Sequence, residues 1–182
     1  MRPILLIGAV LITCIGCATG IGGDPYILSG YGSWFGPGGG RRAGPHPAID
    51  FDGSIGDPVL AAAPGSVYRT WTPDSGGGEC GFGIRLYHEA FNRFTMYCQL
   101  KEVRVQIGDR VERGQLIGLL GASGGVPQPM LHFELARESR YRDDGDLDGT
   151  YDPLPLIAGC FEPAKAYPTD RLVLTYPVRC EK

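Results

Sequence analysis

The chain holds only three histidines, three methionines and two tryptophans in 182 residues. It has no block of basic residues either. Its 17 Lys and Arg are set against 20 Asp and Glu, for a net charge of −3. A basic face for a phosphate backbone is missing, so nucleic acid is not an expected partner. No segment carries ten residues of clean helical periodicity, and no internal repeat of useful length is present. Outside the N-terminal segment no two cysteines have C-x-x-C spacing, which argues against a thiolate metal site.

What is abundant is glycine (29) and proline (15), about a quarter of the chain together. They fall between short apolar runs, which fits many strands and tight turns better than disorder. Residues 59–62, 66–71, 83–87, 94–100 and 115–120 are β-favouring. Pro64-Gly65, the glycines at 76–78, Asn92, Gly108-Asp109 and Gly121 punctuate them. A mainly β domain with an antiparallel sheet or sandwich is predicted over 41–157. Residues 18–40 are Gly-rich and nearly uncharged, and read as a flexible linker or loop. Residues 158–182 read as a tail.

Arg2 precedes an uncharged apolar run from Ile4 to Ile12, the layout of an export signal and too short for an ordinary membrane span. Cys14 and Cys17 close it. Gly16 before Cys17 is the small residue that a lipoprotein cleavage site requires. Residues 1–17 are therefore expected to be a lipoprotein signal, with Cys17 the lipidated residue and Cys14 the alternative. A plain cleaved signal peptide lacks a good small-x-small site here. Ala18 carries no retention signal, so the expected place is the envelope, lipid-anchored to the outer membrane and facing the periplasm. Four cysteines remain in an exported chain, which suggests two disulfides. Three pairings are possible; the expected one ties the tail with Cys160–Cys180 and leaves Cys80–Cys98.

Two of the histidines sit in suggestive text. His46 lies in Gly44-Pro45-His46-Pro47-Ala48-Ile49-Asp50-Phe51, and His132 in Met130-Leu131-His132-Phe133-Glu134-Leu135. In an extended strand His46 and Asp50 share a face, as do Met130 and His132. Two imidazoles and a carboxylate suit Zn²⁺ and leave a fourth position open. Alone, a His-x-x-x-Asp spacing is a weak signal. His88 reads as a partly exposed strand residue.

The text around these residues resembles the lysostaphin/LytM-type zinc metallopeptidases, which cut peptide cross-links in bacterial peptidoglycan and share a duplicated β-hybrid fold. Six pieces match in order between about Arg42 and Pro153. They are Gly44 to Phe51, Gly56 to Val67, Gly81 to Leu86 with Thr95 to Leu100, Gly108 to Gly118, Gly121 to Gly124, and Leu131 to Leu135. The resemblance implies that His46, Asp50 and His132 are zinc ligands and that a peptidoglycan peptide is the partner.

The sequence departs from this family at two positions. The family's closing motif is His-x-His; the ligand maps onto His132 and the catalytic histidine onto Met130. The histidine of the family's Tyr-x-His-Leu strand maps onto Gln99. A positioned acid or base contributes typically ~10²–10⁴-fold, and an oxyanion donor a comparable amount. Met130 can serve as neither. Gln99 retains an amide N–H for an oxyanion or a carbonyl. Glu134 lies two residues beyond His132, past the metal-binding end. Weak or absent hydrolysis is the expectation. The alternatives are an active metalloendopeptidase with unusual acid/base groups, a carrier or adaptor, and a structural lipoprotein. The Gly108-Asp109-x-Val111 piece is also similar to lipoyl-domain hairpins, but no modifiable Lys stands at a tip.

One further cation site is suggested. Asp144, Asp146, Asp148 and Asp152 fall in a D-x-D-x-D-G run of the calcium-loop type. Pro155 occupies the place of the bidentate Glu, so an acidic solvated turn is the competing reading.

Overall fold

Short Val, Ile, Leu, Phe and Tyr runs become strands wherever Gly or Asn can turn the chain between them. The computed structural model describes residues 23–137, 147 and 149–180. Its strands are β1 (Ile27–Ser29), β2 (Ile49–Asp52), β3 (Pro58–Leu60), β4 (Gly65–Trp71), β5 (Phe82–His88), β6 (Arg93–Val103), β7 (Arg110–Val111), β8 (Leu116–Leu120), β9 (Met130–Ala136) and β10 (Thr150–Tyr151). The ladders between them are antiparallel. The main order is β1-β2-β9-β6-β5-β4-β7, with β10 on β9, and with β8 joining β3 to β6. The fold is mainly β, as the sequence implies. The five apolar runs appear as β3, β4, β5, β6 and β8, within three residues of their expected ends.

Strands β6 and β9 lie at the centre and are buried along most of their length. Tyr97 and Phe133 are cross-strand partners with ring centroids 5.2 Å apart. Around them pack Phe51, Leu100, Leu131 and Ile84, all fully buried. Each such side chain contributes roughly 1.5–3 kcal/mol relative to exposure.

Three expectations change. The stretch read as a linker at 18–40 contributes β1, which pairs with β2. Gly32 and Ser33 are tied by backbone hydrogen bonds to His46, and Arg42 N–H closes the loop on Trp34 O. Low charge and glycine content marked it as loose, but these short residues allow its backbone to lie against the sheet. The tail is also part of the core: Leu174, Thr175, Tyr176 and Val178 are buried. Leu60 N–H donates to Pro177 O, and Thr175 N–H to Ala62 O. The disulfides are Cys80–Cys98 and Cys160–Cys180. Each closes a loop of 18 or 20 residues, a constraint on the unfolded chain worth about 3 kcal/mol.

His88 is the third change. It is buried, with Nδ1 2.8 Å from Pro64 O and Nε2 2.8 Å from Thr95 Oγ1. Thr95 in turn hydrogen-bonds with the Tyr97 hydroxyl, whose oxygen accepts the Ala62 N–H. Pro64 O can only accept, so Nδ1 carries the proton. Burial, with a smaller contribution from Arg113, lowers the His88 pKa, against the pull of the Pro64 carbonyl. The unfolded chain therefore binds a proton near pH 6.5 that the folded chain refuses until lower pH. Stability is full above that pH and falls as pH drops toward the folded value. Urea unfolding at pH 7.5 and pH 5.0 should show this loss, and His88→Gln should reduce it. An equal loss in that variant would remove His88 from the account.

Among the described residues no helix is long and apolar enough to cross a membrane. The expected lipidation position, Cys17, lies outside the described residues, as do Asp144, Asp146 and Asp148. Asp152 is exposed, and its Oδ1 accepts the Leu154 N–H.

Candidate metal centre

The pairing of β2 with β9 builds the centre. Asp50 and His132 are directly opposed on neighbouring strands, which brings their side chains together on one face. On its other side His132 opposes Cys98 of β6. His46 arrives differently from the strand alternation expected of it. It precedes β2, in a bend whose backbone is held by His46 N–H to Ser33 O at 3.0 Å and Gly32 N–H to His46 O at 2.7 Å. That bend, rather than a pleat, turns the imidazole back over Asp50.

The three donor atoms converge. His46 Nε2 lies 3.2 Å from Asp50 Oδ1, His132 Nδ1 lies 3.0 Å from the same oxygen, and the two nitrogens are 3.3 Å apart. A tetrahedral ion with bonds of about 2.0–2.2 Å sets its ligands about 3.3–3.6 Å apart. The triangle is within a few tenths of an ångström of that edge. Among the described residues this is the group of His, Cys, Asp and Glu side chains placed to share an ion.

The surroundings hold the donors in a ligating state. His46 Nδ1 lies 3.2 Å from Gly30 O, which fixes the proton on Nδ1 and turns the Nε2 lone pair inward. Arg42 Nη2 donates to Asp50 Oδ2 at 2.8 Å, leaving Oδ1 for a metal. Burial alone would raise the Asp50 pKa. Hydrogen bonds from His132 and His46 outweigh it and hold the carboxyl well below the usual range. Burial lowers His46. For His132 burial also acts downward, but the hydrogen bond and charge of Asp50 win and raise it. His132 Nε2 is buried with no hydrogen-bond partner among the described residues. Neither Gly30 O nor Arg42 was singled out from sequence: a backbone carbonyl leaves no sequence signal, and Arg42 is one arginine among several.

A cleft of about 260 Å³ opens on the triad, lined by Arg42, His46, Gln99, Met130, His132 and the Cys80–Cys98 disulfide. Met130 stands two residues from His132 on β9, where side chains share a face. A larger groove, about 430 Å³, between His88–Phe91 and Phe161–Thr169 shares no lining residue with this cleft and contains none of the triad.

Gln99 is tied to the backbone of the cleft wall, which leaves one amide N–H of its two. Its Nε2 donates to Glu79 O at 2.6 Å, and its Oε1 accepts the Gly124 N–H at 2.7 Å. Its φ of 68° is left-handed, a conformation costing a non-glycine residue about 1–2 kcal/mol. The side chain is a clamp between two cleft loops. Gly124 must be glycine there, because a Cβ would stand 1.9 Å from Glu79 O.

The match to known proteins agrees with this geometry. The family model for peptidase family M23 matches residues 44–144. This chain belongs to peptidase family M23. It is 33% identical over 119 residues to the glycyl-glycine endopeptidase ALE-1 of Staphylococcus capitis, covering 65% of this chain and 30% of that protein. It is 35% identical over 100 residues to the peptidoglycan DD-endopeptidase ShyA of Vibrio cholerae, covering 55% and 22%. The matched part thus spans less than a third of either relative. Among solved structures, the catalytic domain of lysostaphin from Staphylococcus simulans superposes with a TM-score of 0.60 at 30% identity, covering 72% of this chain and 90% of that one. A zinc-containing peptidase from Vibrio cholerae superposes at 0.53 and 33% identity, covering 62% and 33%. The M23 match and the His46, Asp50 and His132 cluster fall on the same part of the chain.

Proposed function

We propose that this M23 protein holds zinc through His46, Asp50 and His132 and engages peptidoglycan peptides with little or no cleavage. When bound, zinc supplies a Lewis acid and acidifies water. The chain must supply the proton acceptor and the oxyanion donor. The observation that carries the reading is the cleft wall beside the triad. Met130 offers no proton acceptor, and the Gln99 amide spends its oxygen on Gly124 and one of its two N–H donors on Glu79. Binding groups survive while the proton acceptor does not. Arg42 secures Asp50, Gly30 O orients His46, and the Cys80–Cys98 disulfide stiffens the wall.

The test is co-sedimentation of zinc-loaded protein with purified sacculi, alongside assay of released peptides. Retention on the sacculi without release supports the reading. Zinc-dependent release at a peptidase rate overturns it in favour of an active endopeptidase. The leader supports a place in the envelope, anchored through Cys17 and facing the periplasm. Cys17→Ser should move the protein from the membrane fraction to the soluble one; unchanged membrane association would overturn the anchor.

A further inference from the structure

Arg42 does more in this cleft than a structural ion pair needs. Its Nη2 donates to Asp50 Oδ2, but the side chain remains 28% exposed while Asp50 is fully buried. It lines the cleft beside His46, Met130 and His132. Its Nε is buried and has no hydrogen-bond partner among the described residues. The loop at 31–41 backs the guanidinium: Arg42 N–H donates to Trp34 O, and a Cβ on Gly36 would stand 3.6 Å from Cζ. A guanidinium has five N–H donors in a planar fork matched to a carboxylate. The Asp50 contact with Nη2 leaves most of them for a ligand.

Charge counting gives the ligand's sign. Two neutral imidazoles and one carboxylate leave a divalent ion with a single net positive charge. Arg42 cancels Asp50, and the buried Glu134, two residues from His132, offsets part of the ion's charge, so the centre stays net positive. The other charged side chain on the cleft lining is Glu79, which is exposed and so acts weakly through water. A net positive centre in a partly closed cleft favours an anion over a neutral amide carbonyl. A carboxylate also needs no base beside it in order to bind, which matches a wall where Met130 and Gln99 supply none.

We propose that this cleft is a receptor for the free C-terminal carboxylate of a peptide, and that Arg42 is the residue that selects it. This rests on the reading that the centre binds zinc and wall peptide. The test is calorimetry with the zinc-loaded protein, using N-acetyl-D-alanyl-D-alanine and its C-terminal amide. The acid should bind the wild type at least tenfold more tightly than the amide. In Arg42→Gln, which removes the charge, that preference should fall to within about twofold when the variant is compared at equal zinc content. Arg42→Lys keeps the charge without the fork and should give an intermediate preference; it serves alone if the Gln variant fails to fold or loses metal. Equal binding of acid and amide by the wild type, binding of neither, or an undiminished preference in both variants overturns the proposal. Sacculus retention together with equal acid and amide binding would sink this inference and leave the function standing. A protein that takes up no zinc would sink both.

Discussion

Met130→His should raise cross-link hydrolysis by about 10²–10⁴-fold, the worth of one positioned acid or base. Position 130 lies on the same face of β9 as His132, lines the same cleft, and is only 4% exposed. An imidazole is no larger than the thioether it replaces, so overpacking is small. Across the ladder Met130 faces Asp52 on β2, a carboxylate within reach to orient the introduced ring. The rate is read as peptide released from sacculi per zinc-loaded protein. No gain would mean that the oxyanion donor, rather than the base, limits turnover. A wild type already as fast as the variant would contradict the proposed function.

His46→Ala, Asp50→Ala and His132→Ala should each weaken zinc binding by more than about a hundredfold, since even supporting groups around a zinc cost 10–100-fold when removed. Each substitution deletes one corner of a triangle whose edges are 3.0, 3.2 and 3.3 Å. Competition with a chromogenic chelator measures it. Acid should act in the same direction. Asp50 raises the His132 pKa, so protons compete for Nδ1 from a higher pH than for a free histidine, and zinc should loosen as pH falls through that range. Unchanged affinity in any one variant would remove that residue from the ligand set.

These two predictions rest on residues that sequence reading found and on contacts it could not find. His46, Asp50 and His132 were legible because the family's motifs fix residue type and order. Their convergence depends on a cross-strand register, Asp50 against His132, that no local pattern states. The alternation argument reached the right pair for His46 and Asp50 through the wrong geometry, since a bend does the positioning. Gln99 was legible as a replaced histidine but not as a clamp. Its partners, Glu79 O and Gly124 N–H, are backbone groups 20 and 25 residues away. The N-terminal stretch and the tail misled for one physical reason. Gly- and Pro-rich text resembles linker whether or not a sheet edge waits to accept its backbone hydrogen bonds, as β2 does for β1 and β3 does for the chain around Val178.

A zinc centre that holds peptide without cutting it is checked by incubating sacculi with protein of measured zinc content and separating the soluble peptides by chromatography. The wild type should hold zinc, His132→Ala should retain none, and both should release the same blank level of peptide. Release by the wild type that disappears in His132→Ala and on chelation would contradict it.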